Sequence, residues 1–281
     1  MQTVIDAVRL RAVIRAWRGE GRTVGLVPTM GNLHEGHYAL IKLARSRCEQ
    51  VVASVFVNPT QFGPNEDFDR YPRTLDRDQA GLAGHDCDLL FAPSVEVMYP
   101  FGPKGTTSVH VPGITEVLEG ACRPGHFDGV TTVVSKLFHL VQPDVAVFGQ
   151  KDFQQLRVIE RMVRDLALPI SVVGAPIRRE SDGLAMSSRN QYLSDAERQL
   201  APQLYTTLRR MRELHLEGHA RAAIEKAGAA RLARVGFEVD YIVIRRAEDL
   251  AEPAEDERDG LVALAAARLG GTRLIDNLPL S

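Results

Sequence analysis

Leu26-Val27-Pro28-Thr29-Met30-Gly31-Asn32-Leu33-His34-Glu35-Gly36-His37 is the stretch on which the fold turns. An apolar run ends in a glycine-containing loop, and two histidines follow, three residues apart around a glycine. That order predicts a buried parallel strand opening onto a helix N-terminus. Open α/β sheets bind ligands at the carboxyl ends of their strands, and backbone N–H groups at a helix start suit phosphate. Two imidazoles there can donate hydrogen bonds to a phosphate whose charge is building up. Two other readings stand beside this one. His-x-x-His could serve zinc, but such a site needs three or four ligands, and Cys48, Cys87 and Cys122 are scattered singly. The plainer reading is a helix start with a packing glycine and two solvated histidines.

Outward from this stretch, apolar β-rich runs recur at 24–27, 51–57, 89–91, 145–148 and 170–173. Helical patterns lie between them. One covers 38–47. A second places Val130, Val133, Val134, Leu137, Phe138 and Val141 on one stripe, and a third carries Leu156, Ile159, Val163 and Leu166. Strands alternating with helices imply an α/β fold, a parallel sheet with helices on both faces. After about residue 176 the character changes. Ser194-Asp195-Ala196-Glu197 is a capping signal ahead of one long helix with Leu200, Leu204, Leu208 and Met211 on a face. A helix over 220–235 and strands at 239–244 and 261–266 follow, with an acidic loop or short helix at 248–259. The expected division is a domain over 1–175 and a smaller C-terminal α+β domain over 176–281.

Composition narrows the class. The 281 residues are 44% hydrophobic and 25% charged, ordinary for a globular protein. Thirty-four Lys and Arg against 36 Asp and Glu leave a net charge of −2, so no global field draws nucleic acid. The unpatterned cysteines argue against a disulfide framework and fit a reducing cytoplasm. Asp6, Arg9 and Arg11 interrupt the first apolar stretch, which is wrong for a signal peptide. No run reaches the length of a membrane span. There is no Gly-x-x-x-x-Gly-Lys-Ser/Thr loop, no Gly-x-Gly-x-x-Gly fingerprint and no Gly-x-Ser-x-Gly elbow.

Four further clusters could carry chemistry. Asn58-Pro59-Thr60-Gln61-Phe62-Gly63 follows the 51–57 strand, and its amides suit a hydroxylated carboxylate; an ordinary Asn-Pro turn is the alternative. Phe148-Gly149-Gln150-Lys151-Asp152-Phe153-Gln154-Gln155 offers a close backbone approach, a point charge for phosphate and a glutamine in the following helix; a capped helix with a surface lysine is the alternative. Asp182-Gly183-Leu184-Ala185-Met186-Ser187-Ser188-Arg189-Asn190 supplies hydroxyls and a cation on a flexible segment suited to gripping pyrophosphate, or is a polar interdomain linker. Glu119-Gly120-Ala121-Cys122-Arg123-Pro124-Gly125-His126-Phe127 reads as a loop near the site or a subunit surface.

His34-Glu35-Gly36-His37 followed by Met186-Ser187-Ser188-Arg189 resembles the paired signatures of the nucleotidylyltransferase superfamily. The fuller strings Val27–His34, Phe56–Phe62, Tyr71-Pro72-Arg73-Thr74, Gly149–Gln155 and Leu274-Ile275-Asp276-Asn277 together resemble the pantoate–β-alanine ligases. Gln150 stands where that family often has Glu, and Arg178 where an uncharged residue is commoner. The resemblance implies a Rossmann-like first domain and a second domain acting as lid. It implies ATP-dependent condensation of pantoate with β-alanine through a pantoyl adenylate, with magnesium held mainly by the nucleotide phosphates and no metal ligands of its own. It also implies a cytoplasmic homodimer. By likeness His37, His34 and Lys151 are catalytic. Pro28, Thr29, Met30, Gly31, Asn32, Leu33, His34, Glu35, Gly36, His37, Gly149, Gln150, Lys151, Asp152, Arg178, Met186, Ser187, Ser188 and Arg189 contact ATP. Asn58, Gln61 and Gln155 hold pantoate, and Gln61 also meets β-alanine. The competing functions are adenylyl transfer in another cofactor pathway and non-catalytic nucleotide or RNA binding. The amide-rich acceptor pocket weighs against the first, and the balanced charge against RNA.

Overall fold

The computed structural model describes residues 1–64 and 66–281. The chain divides into two compact units, Met1–Gln150 with Gln155–Pro176 and Lys151–Gln154 with Ile177–Ser281. In the first unit, β1 (Gln2–Val4), β2 (Val24–Thr29), β3 (Gln50–Val55), β4 (Leu89–Phe91), β5 (Val145–Gly149) and β6 (Ser171–Ala175) form one parallel sheet. Its order is β1-β4-β3-β2-β5-β6. The connections carry α1 (Ala7–Gly19), α2 (Glu35–Arg45), α3 (Leu75–Ala83), α4 (Val95–Met98), α5 (Glu119–Cys122), α6 (His126–Val141) and α7 (Phe153–Asp165).

Strand residues alternate between two cores, as the period-2 pleat requires. Leu26, Val52, Leu89 and Phe148 pack into the core shared with Leu10 and Ile14 of α1 and the α6 stripe. Val27, Val51, Leu90 and Val147 face the other core, beneath Leu40 and Ile41 of α2 and Leu82 of α3. Val130, Val133, Val134, Leu137, Phe138 and Val141 are all buried, as their helical spacing predicts. Each such aliphatic side chain contributes about 1.5–3 kcal/mol.

Chain order steps from β2 to β3 and β4 on one side, then returns to place β5 and β6 on the other. The crevice at the carboxyl ends of β2 and β5 is therefore the topological switch point. A missing hydrogen-bond donor lies where the β2–β5 ladder ends. Thr29 turns its polar groups toward β3, its carbonyl accepting from Phe56 N–H at 3.1 Å. Val24 turns toward β5, its carbonyl accepting from Asp144 N–H at 2.8 Å. Alternation along the strand directs position 28 toward β5 as well. Pro28 has no N–H to give. The β2–β5 ladder stops after Leu26 and Ala146, whereas β2 pairs with β3 through Thr29.

In the second unit, α8 (Asp195–Leu200), α9 (Gln203–Leu216) and α10 (Arg221–Arg234) accompany the antiparallel sheet β7 (Glu238–Arg246), β8 (Leu261–Leu269) and β9 (Thr272–Pro279), in that order. Leu204, Leu208 and Met211 of α9 join Ile224 and Leu232 of α10 against Ala263, Ala265 and Ala267 of β8. The single long helix expected after Ser194 is two helices. The capping box forms as read, but Pro202 cannot supply the N–H that would carry the helix through. The short edge strand β1 and the strand β9 lie outside the strand runs read from the sequence. Among the described residues no helix is long and apolar enough to cross a membrane.

Candidate active site

The loop between β2 and α2 is built by hydrogen bonds that its sequence alone does not contain. Gly31 and Asn32 both take left-handed φ values, 84° and 51°, which glycine and asparagine tolerate best. A Cβ at Gly31 would stand 3.0 Å from both Asp78 Oδ2 and Val55 Cγ1. The Asp78 carboxylate, from α3 and 1% exposed, accepts Asn32 N–H at 2.9 Å and Leu33 N–H at 2.7 Å. Thr74 Oγ1 also donates to Asp78, at 3.1 Å. Thr29 Oγ1 accepts Gly31 N–H at 3.2 Å and donates to the Ser54 carbonyl at 2.7 Å, tying the loop to β3.

His34 is the N-cap of α2 and His37 its third residue. Their side chains form a reciprocal capping box: His34 Nδ1 accepts Gly36 N–H at 3.1 Å, and His37 Nδ1 accepts His34 N–H at 3.3 Å. The rings lie 4.2 Å apart at 50°. With both Nδ1 atoms acting as acceptors, the neutral imidazoles carry their protons on Nε2. The amides of Gly31, Asn32, Leu33, His34 and Gly36 are thus spent inside the protein. These five amides, to which the sequence alone had pointed for an anion, are bonded within the loop, its helix and Asp78.

The turn after β3 holds the second cluster. Asn58, 1% exposed, is saturated. Its Nδ2 donates to Gln61 Oε1 at 3.0 Å and to the Gly129 carbonyl at 3.1 Å. Its Oδ1 accepts Tyr99 OH at 2.7 Å, Thr60 Oγ1 at 3.0 Å and Thr60 N–H at 3.4 Å. Asn58 therefore acts on its surroundings by orienting Gln61, with no amide hydrogen left to give a small molecule. Gln61 Nε2 reaches back to Met30 Sδ at 3.2 Å, joining the first and second clusters. A Cβ at Gly129 would overlap the Thr60 carbonyl, so α6 and this turn can approach only because position 129 is glycine.

The fifth cluster braces the same turn from behind. Its expected loop is instead the short helix α5 and the start of α6. Arg123 donates to both oxygens of Glu66 at 2.6 Å and to the Gln61 carbonyl at 3.3 Å. His126 Nδ1 donates to that same carbonyl at 2.8 Å, while its Nε2 lies 3.1 Å from Arg123 Nη1 and accepts from it. Burial, with the Arg123 charge adding to it, pushes the His126 imidazole down to about 4. Burial works to raise the Glu66 carboxyl, but the Arg123 hydrogen bonds and charge outweigh it and leave the group below its ordinary value.

The third cluster straddles the two units. Gly149 ends β5, Gln150 N–H donates to the Ala175 carbonyl at 2.9 Å, and Gln155 lies in the first turn of α7. Lys151 is half-buried and Asp152 exposed. The fourth cluster forms a hairpin. Arg179 and Ala185 pair across it, and Met186 N–H donates to the Arg178 carbonyl at 2.9 Å. Gly183 turns its tip at φ 94° against the Tyr205 ring. Asp182 pairs with Arg198. Ser187 then caps a short turn over Ser188–Tyr192, its Oγ accepting Arg189 N–H at 3.2 Å.

Asp78, Tyr99, Gly129, Glu66, Arg123 and His126 were not predicted to shape the site. Each acts across 41 or more residues of chain, where no local spacing marks it; only the Gly/Pro punctuation of 119–127 hinted at a role.

The pantoate-beta-alanine ligase family model matches residues 2–279. The pantothenate synthetase of Stenotrophomonas maltophilia is 59% identical over 278 residues, and that of Xanthomonas axonopodis pv. citri 56%, each covering 99% of both chains. The crystal structure of pantothenate synthetase from Thermus thermophilus superposes with a TM-score of 0.93 at 52% identity, covering 100% of this chain and 99% of that one. The pantoate-beta-alanine ligase of Francisella tularensis, solved in complex with β-γ ATP and β-alanine, gives 0.84 at 32% identity, covering 100% and 98%. Matched from end to end by sequence and by fold, the chain belongs to the pantoate–β-alanine ligase family.

Proposed function

We propose that the chain condenses (R)-pantoate with β-alanine in two steps on one site. A pantoate carboxylate oxygen attacks the α-phosphorus of ATP, and the bond to the bridging oxygen breaks, giving pantoyl adenylate and pyrophosphate. The β-alanine amine then attacks the acyl carbon, AMP leaves, and the amine proton is lost to solvent, giving pantothenate. Attack at phosphorus asks the protein mainly for positioning and for neutralisation of the leaving charge. His34 and His37 supply Nε2–H donors, and Lys151, Ser187, Ser188 and Arg189 supply hydroxyls and positive charge. Gln61, oriented by Asn58, and Gln155 hold the pantoate hydroxyls and carboxylate, with Gln61 also facing β-alanine. Residues 28–37, 149–152 and the Arg178 backbone frame the nucleotide.

The observation that carries this reading is the histidine pair. Both Nδ1 atoms accept backbone amides, which leaves the ring protons on Nε2, the donors this reading assigns to the developing phosphate charge. Magnesium enters with the nucleotide. When bound it would supply charge that neutralises the departing pyrophosphate. A cytoplasmic homodimer and a lid role for residues 176–281 belong to the same proposal. An interdomain geometry unchanged by ATP in solution scattering counts against the lid.

Incubation with ATP and magnesium, with pyrophosphate as readout, tests the reaction. Release requires pantoate, and AMP with pantothenate accumulates only when β-alanine is present. Release supported equally by nicotinate mononucleotide or phosphopantetheine would replace this reading with adenylyl transfer in another pathway.

A further inference from the structure

Leu274-Ile275-Asp276-Asn277 contributes to the family resemblance, yet none of its side chains has a part in the reaction above. Asp276 and Asn277 lie on β9, 4% and 3% exposed. Asp276 takes Arg179 Nη1 at 2.6 Å and Nη2 at 2.9 Å. Arg179 also donates to the Gly183 carbonyl at 3.1 Å and stacks 3.7 Å above the Tyr205 ring. It thereby clamps the base of the hairpin that delivers Met186–Arg189. Asn277 Nδ2 donates to the Lys151 carbonyl at 3.0 Å, and Asn277 N–H donates to Asp276 Oδ1 at 2.8 Å. β9 packs against the Ser188–Tyr192 turn as well. Burial raises the Asp276 carboxyl, and Arg179, the Asn277 amide and the Lys151 charge pull against it.

We propose that Asp276 and Asn277 are positioning residues that fix the Lys151 backbone and the Arg179–Arg189 hairpin to one strand, so that both phosphate-directed clusters present their donors in a set relation. The inference rests on the reading that Lys151 neutralises the departing pyrophosphate. A lysine side chain is long and flexible, so anchoring its backbone removes part of the disorder that would blunt its charge. Displacements near 1 Å can cost about a hundredfold in rate.

A double-mutant cycle on the full chain tests this, with single-turnover pantoate-dependent pyrophosphate release as readout. Lys151→Ala loses about 10²–10³-fold, as removal of one electrostatic donor does. Asn277→Ala loses about tenfold or more in rate with KM for ATP and pantoate changed by less than about threefold. In the Lys151→Ala background the same substitution costs less than about twofold, because the group it positions is gone. Equal losses in both backgrounds, or no loss in either, overturn the proposal while leaving the role of Lys151 intact. A Lys151→Ala variant with an undiminished rate overturns the role of Lys151 and this inference with it. Should Asn277→Ala not fold, Asn277→Asp, equal in size but without the donor, takes its place with the same expected outcomes.

Discussion

Asn58 Nδ2 donates to Gln61 Oε1 at 3.0 Å, and this bond divides labour within one amide pair: Asn58 is saturated and structural, Gln61 is oriented and available. Asn58→Ala removes its bonds to Gln61, the Gly129 carbonyl, Tyr99 and Thr60, at about 0.5–1.5 kcal/mol for each lost bond. The urea midpoint should fall markedly. Gln61→Ala takes one partner from Asn58 and should lower that midpoint less, while raising KM for pantoate about tenfold, the worth of one good hydrogen bond. Equal stability losses in the two variants would refute the division.

Asp78 predicts a remote effect on nucleotide binding. Its carboxylate is buried and holds two amides of the β2–α2 loop. Asp78→Ala removes charge-assisted bonds worth about 1.5–3 kcal/mol each and frees Gly31 and Asn32 to leave their left-handed conformations. Calorimetry should show loss of stability together with weaker ATP binding. Retained ATP affinity would mean that the loop keeps its shape without the carboxylate.

His126 makes stability depend on pH in a defined window. The ordinary imidazole value is 6.5, and the fold pushes it down to about 4. Below pH 6.5 the unfolded chain gains a proton that the folded chain refuses. Stability therefore falls between about pH 6.5 and 4, by up to about 3 kcal/mol, and levels off below. Glu66, held below its ordinary 4.5, adds a loss of the same sign only at more acidic pH. In His126→Gln the slope between pH 6.5 and 4.5 should disappear from urea titrations; a slope that survives assigns it to another group.

The doubly covered sheet and the helix stripes were legible because burial imposes a period on the sequence, and 130–141 shows that period plainly. The first three clusters were legible because they fall directly after strands. What stayed hidden is long-range. Asp78 sits in α3 with no motif around it, and the Arg123–Glu66–His126 brace joins residues 57 to 60 positions apart. The His34–His37 box lacks the Ser/Thr and Glu by which such caps are recognised. Pro202 was in plain view, but the apolar stripe running through it outweighed its missing donor. β1, three residues long, is too short to show an alternation.

Pro28→Ala should restore an amide where β2 faces β5. The gained bond of about 0.5–1.5 kcal/mol is offset by the proline's lost restriction of the unfolded chain, about 0.4–1 kcal/mol. Net stability therefore barely moves. Hydrogen exchange should find the new amide at position 28 protected, and pantoate-dependent pyrophosphate release should slow. An unprotected amide would show that the strands separate for another reason.

The end of the β2–β5 ladder is thus a seam left unsewn. One absent hydrogen atom in the middle of a continuous sheet decides where the fabric parts, and most substitutions at that position would supply the stitch. Catalytic opportunity here comes from restraint in pairing, encoded in a residue that touches the chemistry only by what it withholds.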